Sequence, residues 1–276
     1  MRRLRGQRAR WFRLSPAHSL TIAVVVELFA GTGKFTRAMQ RHRPTLVWDV
    51  LFGEKYDLTL RSNQQLLLGW LKAGWIAAVW LGTPCNSFSR ARNQPGGPPA
   101  LRTDSHVHGL PGLRPADEAA VRLGNCLARF SAQVVTLCAL LLVPATIENP
   151  ATSWLWRTRW MRALLRRRDI GWGQSEFCMW QSKPFRKSTG FLYTTCIDMS
   201  RVFARRCLGA KRGTCLKTGI PHKALSGTDE HGKFWTKIAE PYPSALCHQL
   251  ASSFDAAIAN RRYQLLRLSL GDVAGL

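Results

Sequence analysis

Val24-Val25-Val26-Glu27-Leu28-Phe29-Ala30-Gly31-Thr32-Gly33 decides the fold. From Leu20 to Leu28 the chain is a continuous apolar, largely β-branched run, the pattern of a central strand buried on both faces. It runs straight into two glycines spaced by one residue, which permit a tight turn and close backbone approach to a ligand. The helix expected from about Lys34 to Arg41 then aims its positive end at that ligand. No Gly-x-x-x-x-Gly-Lys-Ser/Thr string occurs, which argues against a nucleoside triphosphate.

Working outward, a second strand is expected over Thr45 to Val50, with Asp49 near its carboxyl end, where an acid suits ribose hydroxyls. Asp57, at the next turn, is placed to meet an adenine amino group. Ser62 caps a helix to about Lys72, and Gly74 stops it. The strand Trp75 to Leu81 then delivers Gly82-Thr83-Pro84-Cys85-Asn86-Ser87-Phe88-Ser89, setting a thiol where a parallel sheet keeps its chemistry. Cys85 is either a nucleophile or a buried sulfur. After a helix from Asp117 to about Leu142, a short strand ends in Glu148-Asn149-Pro150 at the same edge. Strands alternating with helices imply right-handed crossovers and a doubly wound, mostly parallel α/β sheet.

Between these sites, Arg90 to Pro115 is rich in Gly and Pro and reads as a mobile lid, with arginines 90, 92, 102 and 114 for phosphates. Ser153 to Arg168 reads as one amphipathic basic helix whose tryptophans pack in the core. Further on, strand-like pieces are expected at Glu176 to Gln181 and Gly190 to Cys196. A weakly periodic stretch from Cys207 to Lys237 follows, and Pro243 opens a last helix to about Asn260. Cys207, Cys215 and His222 are candidate zinc ligands, with Cys178, Cys196, His231 and Cys247 as further donors. These boundaries divide the chain into a basic arm (1–19), a ligand-binding catalytic domain (20–192), a small irregular recognition or zinc-binding subdomain (193–242), a helix packing back (243–260) and a tail (261–276).

Forty Lys+Arg against 16 Asp+Glu give a formal charge of +24 in 276 residues. That imbalance opposes self-association, so a monomer is expected, and it points to a polyanionic partner, most often nucleic acid. Six arginines fall within the first 13 residues, either a frayed terminus or a phosphate-binding arm. The longest apolar run, Ala132 to Ile147, is interrupted by Gln133, Thr136 and Pro144 and is short for a bilayer span. No secretory signal is expected, and eight irregularly spaced cysteines suit a reducing compartment, nuclear or nucleoid-associated and cytoplasmic.

Taken in order, Phe29-Ala30-Gly31-Thr32-Gly33, Pro84-Cys85-Asn86-Ser87-Phe88-Ser89 and Glu148-Asn149 resemble the motifs of the cytosine-C5 DNA methyltransferases. The resemblance runs from about Val24 to Glu148, with weaker echoes to Ala251. It implies a Rossmann-like methyltransferase fold that binds S-adenosylmethionine and attacks cytosine through a Pro-Cys thiolate. On that reading Phe29, Ala30, Gly31, Gly33, Asp49, Asp57 and Pro84 hold the cofactor. Cys85 is the nucleophile, Glu148 its proton partner, and Arg186 and Lys187 stand in for a basic motif that has no clean copy here. Ser87, Arg90, Arg92 and Arg102 meet the nucleic acid, DNA or by the same chemistry RNA. Departures lie at Pro150, where the family has Val, in a missing Gly-Asn motif, and in a region of about Cys196 to Glu240 that is short for target recognition. A basic nucleic-acid-binding protein with a relic methyltransferase fold is the second functional class that fits.

Overall fold

The computed structural model describes residues 23–93, 98–209 and 213–271, with side chains to residue 261. The arginine-rich arm lies outside the described residues. In chain order the strands are β1 (Val24–Leu28), β2 (Thr45–Trp48), β3 (Ile76–Leu81), β4 (Ala145–Pro150), β5 (Ile170–Glu176) and β6 (Ser188–Thr194). The helices are α1 (Lys34–Met39), α2 (Arg61–Lys72), α3 (Pro115–Leu140), α4 (Arg159–Leu165), α5 (Ser200–Phe203), α6 (Trp235–Ile238) and α7 (Ser244–Gly271).

The six strands form one sheet in the order β2-β1-β3-β4-β6-β5. β2, β1, β3 and β4 pair in parallel, whereas β6 runs antiparallel to both β4 and β5. The expected mostly parallel, doubly wound α/β sheet is therefore the observed one. Side chains alternate across each strand, so neighbouring residues feed opposite cores. Val26, Val79 and Leu81 pack with Leu67 and Leu71 of α2, Val134 of α3 and Met161 of α4. Val25, Ala78 and Trp80 pack instead with Phe35 of α1, Val202 of α5 and Phe254 of α7. Trp80 stacks on Phe35 with ring centroids 4.7 Å apart, and Phe254 meets Phe35 edge-on at 5.3 Å. Such pairs add about 0.5–1.5 kcal/mol each beyond their buried area.

Several boundaries differ from the expectation. β5 begins at Ile170 and ends where a strand was expected to begin, because Gly171 and Gly173 read as breakers. In the fold the rings of Tyr193 and Phe203 lie across these two glycines, and that of Trp172 across Gly190, where a Cβ would come within 2.4 Å or less of a ring carbon. The segment expected as one helix over 153–168 is a 3-10 turn (Trp154–Arg157) and then α4, divided at Thr158, whose hydroxyl caps α4 by accepting from the Met161 amide. Trp154 and Trp156 are buried, as expected of core residues. α7 runs to Gly271, well past Asn260. The 90–115 segment, read as a lid, is anchored in its described part: Leu101 and Arg102 are buried, and the site of a Gly109 Cβ lies 2.6 Å from Val121. α3 is a candidate membrane span by length and composition, yet 56% of its apolar window is buried inside the fold.

Candidate active site at the carboxyl edge of the sheet

Leu28, Leu81 and Ile147 lie side by side on three adjacent parallel strands. One step further come Phe29, Gly82 and Glu148, so the three sequence motifs end on one edge. Gly82 is the point of convergence. A Cβ there would stand 2.8 Å from the Phe29 carbonyl oxygen and 2.9 Å from the Tyr242 hydroxyl, so only glycine lets these strand ends and the residue just before α7 meet.

The Cys85 turn is held from both sides. Before it, Asn149 Nδ2 donates to the Thr83 carbonyl at 2.6 Å, and the Thr83 and Ser131 hydroxyls pair at 2.9 Å. After it, a short 3-10 turn (Asn86–Phe88) buries Ser87 and Phe88. Cys85 itself sits at φ −96°, ψ −5°, the bridge region that active-site residues often occupy. It is half-buried. Burial pushes its thiol above the ordinary value of 9.0, the Glu148 carboxylate pushes the same way, and Lys187 opposes both. Without a substrate, the sulfur is a thiol.

Glu148 is buried, and its Oε2 accepts from the Tyr242 hydroxyl at 2.8 Å. Its Oε1 has no partner in the fold, nor does Asn149 Oδ1. Burial raises the Glu148 pKa, against the opposing pull of Lys187 and the Tyr242 bond. A buried carboxyl inclined to hold its proton, with one unclaimed oxygen beside a thiol, suits a group that exchanges a proton with a ligand. Lys187, at φ +32° just before β6, is the nearby cation. Its Nζ lies 4.4 Å above the Phe177 ring and donates to the Glu240 carbonyl at 3.4 Å.

The glycine turn sits next to this pair. Gly31 (φ +52°) and Gly33 (φ +61°) are left-handed, Phe29 shares that conformation at φ +56°, and no atom lies within 4 Å of a Cβ built on either glycine. The space above the turn is open. Glu27, buried at the end of β1, accepts from the Thr36 amide at 2.7 Å and from the Thr36 hydroxyl, fixing the first turn of α1. Burial lifts its pKa to about 7. Asp49 Oδ2 accepts from the Gly31 amide and Oδ1 from the Leu51 amide, both at 2.9 Å. Beside Asp49, Val50, Leu51 and Phe52 are exposed, Leu51 by 74%. An open glycine cradle, an acid at its rim and an uncovered apolar ledge together fit a nucleoside-bearing cofactor such as S-adenosylmethionine.

No family model and no curated protein matches this sequence. Among solved structures the chain is similar to an Entamoeba histolytica methyltransferase, EhMeth, with a TM-score of 0.35 and 9% identity. The match covers 62% of this chain and 52% of that one, about half of its length. At that distance, function has to be read from this chain's own side chains.

Four expected assignments change. Arg102 is fully buried: it donates to the carbonyls of Ser87, Val107 and Val121, to Ser87 Oγ and to Asn125 Oδ1, and covers the Phe88 ring. It clamps the Cys85 turn to α3 and is not available to nucleic acid. Ser87 is likewise turned inward. Arg186 pairs with the buried Glu176 carboxylate at 3.1 Å, so Lys187 alone of the two acts on the Cys85–Glu148 pair. Asp57 is used locally, accepting from the Thr59 amide at 2.8 Å.

Arg90 remains exposed, its guanidinium 4.3 Å from the Trp154 ring, and Arg92 pairs with Asp117 at 3.5 Å. Pro84 is half-buried within the turn. Cys207, Cys215 and His222 come together as expected and are joined by Cys178. Tyr242 and Glu27 were given no role from sequence. The signal for Glu27, an acid closing a wholly apolar strand, was visible; Tyr242 reaches the site only through the tertiary fold.

Proposed function

We propose that this chain transfers a methyl group from S-adenosylmethionine to C5 of cytosine in DNA, through a covalent bond between Cys85 and cytosine C6. The observation that carries this reading is the pairing of a half-buried thiol with a buried, proton-retaining carboxyl one strand from an open glycine turn. When bound, the cofactor supplies an electrophilic methyl group. Phe29, Gly31 and Gly33 would cradle it, Asp49 would meet its ribose, and Val50 to Phe52 would cover its base.

Cytosine C5 is a weak nucleophile until the ring's aromaticity is interrupted. Cys85 loses its proton to solvent, and the thiolate forms a bond to C6. The displaced electron pair is accommodated as Glu148 gives its proton to N3, and C5 becomes nucleophilic. After C5 takes the methyl group, a base removes the C5 proton and the C6–sulfur bond breaks. Cys85 leaves as thiolate while Glu148 recovers the N3 proton. Lys187 favours the anionic forms of both groups, which lowers the cost of each transfer. A duplex cytosine must first leave the stack, at a cost of a few kcal/mol. The charge of +24 supports binding that offsets it.

The test is a duplex in which the target cytosine is 5-fluorocytosine, incubated with the protein and labelled S-adenosylmethionine. Fluorine blocks the final proton loss, so a covalent complex should accumulate with wild type and with Cys196→Ser but not with Cys85→Ala. An adduct on RNA only would replace the substrate. No adduct on either nucleic acid, with salt-sensitive binding retained, would establish a binding protein on a methyltransferase scaffold.

A further inference from the structure

Cys178, Cys207 and Cys215 are buried and form a cluster of their own, with half-buried Met179 packed against it. His222 completes the group: one donor atom from each of the four residues lies within 4.8 Å of the others, and Cys207 Sγ is 3.7 Å from His222 Nε2. A tetrahedral zinc with Zn–S bonds of about 2.3 Å holds its sulfurs about 3.8 Å apart. The four donors therefore stand in a slightly expanded version of that shell. We infer that Cys178, Cys207, Cys215 and His222 form a structural zinc site.

The backbone around the four residues is built for it. Cys215 and His222 flank a tight loop in which the Cys215 amide donates to Ile220, the Gly219 amide to Cys215, and the His222 amide to Gly213. Gly219 takes φ +69°, which closes the loop. Cys207 is fixed by its amide, which donates at 2.9 Å to Glu176 Oε2, and Cys178 by its amide bond to Arg186. Each cysteine thus comes from a separate segment whose main chain is already placed.

The same region has little else to hold it. Between α5 and α7 the described residues contain two isolated β-bridges, Thr214–Pro221 and Thr228–Phe234, and the four-residue α6. Leu208, Leu216, Ile220 and Phe234 are exposed instead of forming a core. A segment this size without a core usually depends on a disulfide or a metal, and all eight cysteines are free. Four protein donors leave no open coordination position, so the site is structural and not catalytic. It ties the loop after α5 and the 213–222 loop to the turn joining β5 to β6, and so braces the Arg186–Lys187 turn.

The full chain, purified in a zinc-containing medium without an affinity metal, should carry one zinc ion. Replacing zinc with cobalt(II) should give the absorption of a tetrahedral thiolate site. Cys207→Ser and Cys215→Ser should lose the metal, His222→Cys should keep it, and chelation of wild type should lower its melting temperature. Retention of stoichiometric zinc in Cys207→Ser and Cys215→Ser would overturn the assignment. So would wild-type protein that binds neither metal with its thiols reduced, or a disulfide among the three cysteines. If the serine variants do not fold, the cobalt spectrum and chelation of wild type decide the question.

Discussion

The Tyr242 hydroxyl donates to Glu148 Oε2 at 2.8 Å, joining the residue before α7 to the strand that carries the acid. This bond holds the Glu148 pKa down while burial raises it. Tyr242→Phe should therefore raise that pKa further and move the alkaline limb of methyl transfer to higher pH. Leaving the carboxyl unpaired should also cost about 1–3 kcal/mol of stability. A folded-state pKa above the unfolded one means stability falls as pH rises between the two. That fall should extend to higher pH in the variant, measured by thermal melts across pH alongside the rate profile. An unmoved alkaline limb would remove Glu148 from the proton-transfer role.

Glu148→Gln keeps an acceptor for Tyr242 and the side chain's shape, but has no proton to exchange at neutral pH. Methyl transfer should fall by about 10²–10⁴-fold. DNA affinity and melting temperature should change little, as read by single-turnover kinetics and binding isotherms. A loss of less than threefold would count against the mechanism.

Arg102 and Arg90 should behave oppositely. Arg102→Ala strands the Ser87, Val107 and Val121 carbonyls and should destabilise the chain by about 3–5 kcal/mol, with the salt dependence of DNA binding unchanged wherever folded protein remains. Arg90→Ala should leave stability nearly untouched and, if Arg90 meets a phosphate, reduce the salt slope by about one. Urea titration and binding across ionic strength separate the two effects.

Gly31→Ala places a methyl group in open space at φ +52°. The strain is about 1 kcal/mol, so the protein should still fold. The added methyl group occupies the cradle, so affinity for S-adenosylmethionine should fall by more than the stability loss predicts. Calorimetric titration with the cofactor measures this, and unaltered affinity would place the cofactor elsewhere.

Glu27 has a folded-state pKa of about 7 against an ordinary 4.5. Its contribution to stability is complete below pH 4.5 and is lost as pH rises to 7, about 3 kcal/mol in all. Glu27→Gln should flatten the stability curve across that window while preserving an acceptor for Thr36. A curve of unchanged slope would mean the carboxylate is better solvated than its burial implies.

The parts that could be read from sequence are those where local chemistry and burial agree. β1, β3 and β4 are continuous apolar runs whose polar endings, Gly31 to Gly33, Pro84-Cys85 and Glu148-Asn149, mark the sheet edge. Arg102 misled because an arginine in a Gly/Pro-rich stretch ordinarily faces water. Its burial depends on acceptors at Ser87, Val107, Val121 and Asn125, which only the fold assembles. β5 was displaced because glycine in a strand reads as a breaker unless a cross-strand ring covers it, and that ring is invisible locally. Cys178 could not be grouped with Cys207, Cys215 and His222 because no Cys-x-x-Cys spacing announces the cluster.

The reversed strand sets a timetable for the growing chain. β5 is made before β6, yet β6 is its one neighbour in the sheet, so β5 waits unpaired until residues 188–194 have been synthesised. The face bearing Phe35 and Trp80 waits longer still, for Phe254 of α7. A nascent chain thus possesses Cys85 and Glu148 long before it possesses Lys187 and Tyr242. It presents a broad apolar sheet face during that interval, a surface that chaperones recognise. Competence arrives late in synthesis, and a chain cut short before α7 should hold the thiol and the acid without the groups that tune them.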